Sequence, residues 1–323
     1  MRDDSGRHQT WAVFGGSGFV GSAICRELKS RGEVAAILEA PRVSLRGART
    51  ADNIGGHLVG DRALVAELSA RLLGRDVVVN AAGLASPDSR DTDPLFGANA
   101  LLPVIIAEAA REAGVSRLLH LSSVAALGRD APLHDRPETH PFSPYSASKA
   151  LGEEVLLNTR SFTPLAVCVV RATSVHGPGR PTTAKLQRLA RSPLASVASP
   201  GDQPSPVSSI YGLAAFVVDL GQSAGSLPPI ALQPWEGATT TSVLTIASGG
   251  RRPRVIPRRL CRAAVTIARA VSSLAGGRFD GPVRRLELMW FGQEHHDAKG
   301  HAVSGDGLRR ALTPSSAEGR GRG

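Results

Sequence analysis

The stretch Ala12-Val13-Phe14-Gly15-Gly16-Ser17-Gly18-Phe19-Val20-Gly21 decides the fold. A short apolar run ends in glycines at 15, 18 and 21, and an Ala/Ile/Leu pattern with helical period continues from Ser22 to Ser30. This predicts a strand, a tight turn and a helix. One glycine makes the turn, one lets backbone approach a pyrophosphate, and one lets helix and strand pack closely, so the phosphates of a dinucleotide would rest on the helix N-terminus. Gly15, Ser17, Gly18, Phe19, Val20 and Gly21 are the candidate cradle. Glycine makes up 35 of 323 residues, so the bare spacing is expected by chance roughly 0.4 times. The strand before it, the helix after it and its early position carry the reading.

Further along, Gly32 to Glu39 reads as a second buried parallel strand ending in an acid, Glu39. An acid there accepts from the adenosine ribose hydroxyls and repels a 2′-phosphate, which favours NAD; Arg42 or Arg46 just beyond would instead hold the 2′-phosphate of NADP. His57 to Asp61 reads as a short third strand, with Asp61 placed to accept from the adenine amino group. A helix from Ala63 to Leu73 leads to the strand Asp76 to Asn80, which stops in Ala81-Ala82-Gly83, small enough for a cofactor to lie close over the strand end. A helix from about Pro94 to Ala113 contains Asn99, and the next strand, Arg117 to Leu121, ends in Ser122-Ser123. The alternation continues through six strands, giving an α/β class with a doubly wound parallel (Rossmann) sheet.

Pro144-Tyr145-Ser146-Ala147-Ser148-Lys149 opens a helix that puts Tyr145 and Lys149, four residues apart, on one face. The chain has only 2 tyrosines and 4 lysines, so this spacing is expected by chance roughly 0.02 times. It is a much sharper signal than the glycines.

Composition narrows the rest. The chain carries 38 basic and 28 acidic residues, a net charge of +10. Of the basic residues 34 are arginine, and outside Arg251–Arg262 they are scattered, which argues against a nucleic-acid partner. Cys25, Cys168 and Cys261 lie far apart with no metal spacing and read as reduced core residues of a cytoplasmic protein. The N-terminus carries Asp3 and Asp4 and no apolar signal region. Leu260 to Leu274 contains Arg262 and Arg269 and is shorter than a membrane span. His295, His296, Asp297 and His301 fit no standard metal site, so no metal is expected.

Residues 1–9 read as a flexible start, 10–180 as the nucleotide-binding domain with the active site, 181–314 as a smaller substrate lobe from which 205–235 returns to the sheet, and 315–323 as a disordered Gly/Arg/Ser tail. Ile230 to Gln233 is a last strand and Thr240 to Ser248 a helix. Arg251 and Arg254 are candidate pyrophosphate clamps, with a solvated basic face as the plain alternative. A homodimer is the assembly left open.

Taken together, roughly residues 11 to 215 resemble the extended short-chain dehydrogenase/reductases and, within them, the NAD-dependent epimerase/dehydratase group. The resemblance rests on Gly15/Gly18/Gly21, Gly60-Asp61, Asn80 to Gly83, Ser122-Ser123 with Gly128, Tyr145/Lys149, and Arg171 through Gly177-Pro178-Gly179, in one uninterrupted order. It implies Ser123, Tyr145 and Lys149 as catalytic residues. A phenol with a pKa of about 10 is a poor base at neutral pH, but the Lys149 ammonium and an oxidised nicotinamide both favour the phenolate. Tyr145 would then take the proton of a substrate hydroxyl, Ser123 would hydrogen-bond the same oxygen, and Asn99 would fix backbone nearby. Ser122 is placed with the cofactor contacts and Ser174 with the substrate contacts.

The sequence also departs from the group. Phe14 replaces a usual Thr, Leu127 a frequent Tyr, and Ser174 an Asn that contacts substrate in nucleotide-sugar epimerases. Val124-Ala125 stands where dehydratases carry Asp-Glu, which speaks against elimination. Tyr211-Gly212 replaces the Asp-Asp of a later segment. The resulting expectation is an enzyme that reversibly oxidises a sugar carbinol, foremost a nucleotide-sugar epimerase. A net ketoreductase or dehydrogenase using NAD(P)H on a sugar or other small carbonyl is second, and a non-catalytic dinucleotide-sensing protein third.

Overall fold

A computed structural model describes residues 9–84, 92–129, 132–159, 164–276, 278–295 and 306–313. The expected flexible start (all but residue 9), the tail 315–323, and His296, Asp297 and His301 lie outside these residues. The chain divides into two compact units: 1–129, 135–172 and 214–233 form the first, and 130–134, 173–213 and 234–323 the second.

In the first unit, β1 (Thr10–Phe14) leads through the glycine turn into α1 (Phe19–Ser30), and β2 (Val34–Leu38) follows. Two helices, α2 (Ala51–Gly60) and α3 (Arg62–Leu72), precede β3 (Val77–Asn80). The next long helix is interrupted: α4 (Asp93–Phe96), a π turn at Gly97–Leu101 and α5 (Leu102–Glu112) lead to β4 (Arg117–Ser123) and a 3₁₀ turn at Val124–Leu127. Then come α6 (Pro144–Thr159) and β5 (Ala166–Ala172).

The second unit begins with β6 (Ser174–His176), α7 (Pro181–Arg191), β7 (Ser196–Ala198) and β8 (Val207–Ser209). The chain returns to the first unit for most of α8 (Ile210–Gln222) and for β9 (Ile230–Leu232), then completes the second with α9 (Thr240–Ser248), β10 (Arg254–Ile256), α10 (Arg258–Leu274), α11 (Asp280–Phe291) and α12 (Asp306–Leu312).

The main sheet has six parallel strands in the order β2-β1-β3-β4-β5-β9. The order reverses between β1 and β3, which creates a crevice at the carboxyl ends of those strands where open α/β sheets receive ligands. Phe14 pairs with Asn80, Asn80 with His120, and Ser123 with Ala172. The glycine turn, Ala81-Ala82 and the residues after Ser123 therefore leave the sheet along one edge. Strands buried on both faces account for the near-continuous apolar runs of β1, β3 and β5. Helix α5 buries Leu102, Ile105, Ile106, Ala109 and Ala110 in the core. The apolar stretch Asp93–Glu112 is long enough to cross a membrane, but most of it is buried in this core.

One expected strand is corrected. His57 to Gly60 is not a strand; it closes α2, and Asp61 caps that helix with its N–H donated to the His57 carbonyl. The sixth strand is β9 instead. The reason is local: the Thr50 side chain accepts from the Asn53 N–H and starts a helix, and Ala51, Ile54 and Leu58, at helical spacing, pack on the core. Asp61 thus has no strand end from which to reach an adenine.

Candidate active site

The glycine turn has the shape a dinucleotide requires. Gly15 adopts φ +73°, and a Cβ there would lie 2.8 Å from the Ala82 nitrogen. A Cβ on Gly21 would collide with the Gly15 carbonyl, so only glycine lets α1 approach the turn. The Gly18 N–H donates to the Gly15 carbonyl at 3.0 Å, and Gly18 begins α1 without a side-chain cap. That leaves an exposed helix start at Ser17-Gly18, with Phe19 and Val20 half-buried behind it, and its positive end suits a pyrophosphate. The residues present fit such a group. Glu39, Arg42 and Arg46 all lie exposed beyond β2.

Across the crevice, Ala81 donates to the Phe14 carbonyl at 3.0 Å, and Ala82 donates to the Asn80 side chain at 3.1 Å. Gly83 is exposed. Asn99, fully buried in the π turn, donates to the Leu84 carbonyl and accepts from the Leu84 N–H, both at 3.0 Å. It also donates to the Ser148 hydroxyl at 3.0 Å. The extra residue of the π turn rotates Asn99 inward between this backbone and α6. The backbone-fixing role expected of Asn99 therefore has a definite geometry.

Helix α6 is pinned at its start. The Ser146 N–H donates to the Ser143 hydroxyl at 3.2 Å, while the Ser146 hydroxyl accepts from the Ser143 N–H at 2.8 Å. This reciprocal cap, followed by Pro144, holds Tyr145 in the first turn, where the helix dipole favours a negative phenolate. Tyr145 packs half-buried against the core cluster. One turn on, Lys149 is 5% exposed and donates to the Leu121 carbonyl at 3.0 Å. Burial lowers its pKa to about 8, against the opposing pull of Glu153. Leu121 is two residues before Ser123, so both point to one side of β4 and Lys149 is tied to the strand that presents the serine. Ser123 is half-buried, with its hydroxyl accepting from the Ala125 N–H at 3.2 Å.

Ser122 faces the other way. Its hydroxyl donates to the Glu153 carboxylate, and Glu153 receives the Arg171 guanidinium at 2.7 Å and 3.1 Å. Arg171 also donates to the Arg136 carbonyl at 2.6 Å. Arg171 and Glu153 are 0% and 1% exposed. The network joins α6 to β4 and β5 beneath the site, and it occupies the Ser122 hydroxyl assigned above to the cofactor. Glu153 lies four residues after Lys149, on the same face of α6, and Arg171 closes an apolar strand. Those two placements were the sequence signals for a buried pair.

His120 gave no sequence signal. It is fully buried on β4, 3.2 Å from the Asn80 side chain, and its Nε2 has no hydrogen-bond partner. Burial and then the nearby Lys149 charge hold its pKa well below the usual range, so it is neutral at physiological pH.

The remaining candidates belong to the second unit. Ser174 is exposed on β6, 3.3 Å from His176 Nε2. Arg251 is exposed and donates to the Arg191 carbonyl at 2.9 Å, and Arg254 lies exposed on β10. Of the three cysteines, all free thiols, Cys25 and Cys168 belong to the first unit and Cys261 to the second; Cys168 and Cys261 are buried and Cys25 is partly exposed.

Comparison with known proteins adds three relatives. The chain is 33% identical over 165 residues to a 4-hydroxy-2-methyl-3-oxo-4-farnesyl-3,4-dihydroquinoline-1-oxide ketoreductase from Stigmatella aurantiaca, covering 48% of each chain. It is 29% identical over 177 residues to a UDP-glucose 4-epimerase from Mycolicibacterium smegmatis, covering 51% of this chain and 56% of that one. The match thus spans about half the length of these curated relatives. Among solved structures, a point variant of the UDP-glucuronic acid 4-epimerase from Bacillus cereus, in complex with UDP-4-deoxy-4-fluoro-glucuronic acid and NAD, superposes with a TM-score of 0.62. Its identity is 18% over 94% of this chain and 98% of that one, a likeness of fold. The model of the NAD-dependent epimerase/dehydratase family matches residues 11–204, well over half of the chain, and the protein belongs to that family.

Proposed function

We propose that the protein is an NAD-dependent epimerase with oxidoreductase-type chemistry, acting on a secondary carbinol of a nucleotide-linked sugar. The observation that carries this is the fixed pair on α6: Tyr145 in the capped first turn, and Lys149 one turn later held by the Leu121 carbonyl at the strand end that presents Ser123. Bound NAD supplies a hydride acceptor and, on return, a hydride donor. Tyr145 removes the proton from the substrate hydroxyl and later restores it, with the Lys149 ammonium and the helix start favouring the phenolate between the two events. Ser123 donates to the same oxygen as its charge develops. The glycine turn holds the pyrophosphate and the exposed Glu39 suits the ribose of NAD. Arg42 and Arg46 give NADP a foothold if Glu39 is not used.

A second reading, a net ketoreductase or dehydrogenase, is favoured by one observation: the 33% identical relative is itself a ketoreductase. Ser174, which stands where nucleotide-sugar epimerases often place an Asn that contacts substrate, points the same way.

The nucleotide content of the purified protein separates the two. An epimerase keeps its cofactor between turnovers, so near-stoichiometric NAD is expected after gel filtration. A protein that comes through without dinucleotide and rapidly consumes added NADPH is a reductase.

A further inference from the structure

Helix α10 presents a second, unused apolar face. Its inner side, with Cys261, Val265 and Ser272, is buried. It is joined to α11 by Arg269, which donates to Glu287 at 2.5 Å, and by Arg258, whose guanidinium lies 5.4 Å over the Phe291 ring. The outer side carries Leu260, Ala264, Ile267, Val271 and Leu274, spaced by four and three residues so that they form one ridge along the helix. All are exposed, Ile267 by 65% and Leu274 by 91%. Exposed Ala263 and Ala270 widen the ridge to roughly 120° of the helix surface. Val255 and Phe279 are exposed just before and after the helix. An apolar surface of this extent on water is not explained by the fold.

The surrounding charge says what would cover it. Between Arg251 and Phe279 there are eight arginines and neither an aspartate nor a glutamate. Arg259 borders the ridge, Arg262 lies further round, and Arg251, Arg252 and Arg254 precede the helix. All five are exposed. A second copy of the chain meeting ridge to ridge would bring two such basic segments together. A nucleic acid would meet the arginines but leave the ridge in water. Only a partner both apolar and anionic satisfies both features.

We propose that α10 docks the protein peripherally on an anionic lipid bilayer. The ridge lies among the acyl chains just beneath the headgroups, and the flanking arginines meet lipid phosphates. The helix, 17 residues long with Arg262 and Arg269 inside it, lies in the interface and does not span it.

The test uses the full-length protein in co-sedimentation with phosphatidylcholine vesicles, with and without roughly one-third phosphatidylglycerol. Binding is expected to the anionic vesicles alone and to weaken with added salt. The double variant Ile267→Glu/Leu274→Glu should lower vesicle partitioning about tenfold or more. Arg259→Glu/Arg262→Glu should remove the preference for anionic lipid. Both variants alter exposed residues, so an unchanged thermal midpoint will show that the fold is intact.

The proposal is overturned by failure of the wild-type protein to bind anionic vesicles, or by binding that the glutamate variants leave undiminished. A dimer in lipid-free solution that Ile267→Glu/Leu274→Glu dissociates would also overturn it, by showing that a second copy covers the ridge. None of these readouts depends on the reaction assigned to Tyr145.

Discussion

Lys149 donates its ammonium proton to the backbone carbonyl of Leu121 at 3.0 Å, inside the protein rather than at its surface. One polar contact and a buried carboxylate one turn away do not replace the water this charge has lost, and its pKa falls to about 8. The group is thus charged at neutral pH but close to losing its proton.

Lys149→Met separates the proposed catalytic use of this charge from its cost. Between about pH 8 and the usual lysine value of about 10.5, the unfolded chain holds a proton on Lys149 that the folded chain has released. The wild type should therefore gain stability relative to the variant as pH rises through that window, by about 3 kcal/mol in all. Below pH 8 the lysine is protonated in both states and the difference between the two proteins should be flat. Urea denaturation at a series of pH values measures this. Turnover of the variant should fall on the order of a hundredfold or more at neutral pH, and an active variant would remove Lys149 from the mechanism.

Tyr145→Phe deletes the proposed proton carrier but keeps the ring that packs on the core. Turnover should fall by about 10² to 10⁴, with NAD affinity nearly unchanged in a fluorescence titration. Unchanged turnover in the variant would remove Tyr145 from the mechanism, and a wild-type protein that binds NAD but turns over no carbinol or carbonyl substrate would point instead to a protein that senses the dinucleotide.

Arg171→Met strands the Glu153 carboxylate in the interior, with Ser122 the one hydrogen-bond partner left to it among the described residues. The expected loss is about 3–5 kcal/mol in chemical denaturation. Adding Glu153→Leu should recover most of it, since two apolar groups need no partner. If the double variant is no more stable than the single one, the pair does not act as a unit.

Gly152 lies where α6 crosses the π turn, and a Cβ there would collide with the Asn99 carbonyl. Gly152→Ala should cost about 1–3 kcal/mol. Because Asn99 also holds Leu84 and Ser148, NAD affinity should fall with it. An unchanged affinity would show that Asn99 does not set the cofactor floor.

The glycine turn, the apolar strands and the Tyr145/Lys149 pair were all legible in the sequence because each depends on near neighbours. Turn geometry, alternation and helical spacing are local, and they fixed the α/β class and named the candidate reacting groups. The strand expected at His57 to Asp61 failed for a local reason as well: a short apolar run fits helix or strand alike, and the Thr50 cap with Ile54 and Leu58 tipped it into α2. What lay beyond local reading was every relation between distant segments. Tertiary packing turned Ser122 inward to Glu153, brought Arg171 to the same carboxylate, set His120 beside Asn80, and left the outer ridge of α10 uncovered. The sequence by itself determined which groups the protein owns and which local frame carries them. Only the tertiary structure decided which were taken out of water and which were left facing it, because desolvation depends on neighbours that chain order does not specify.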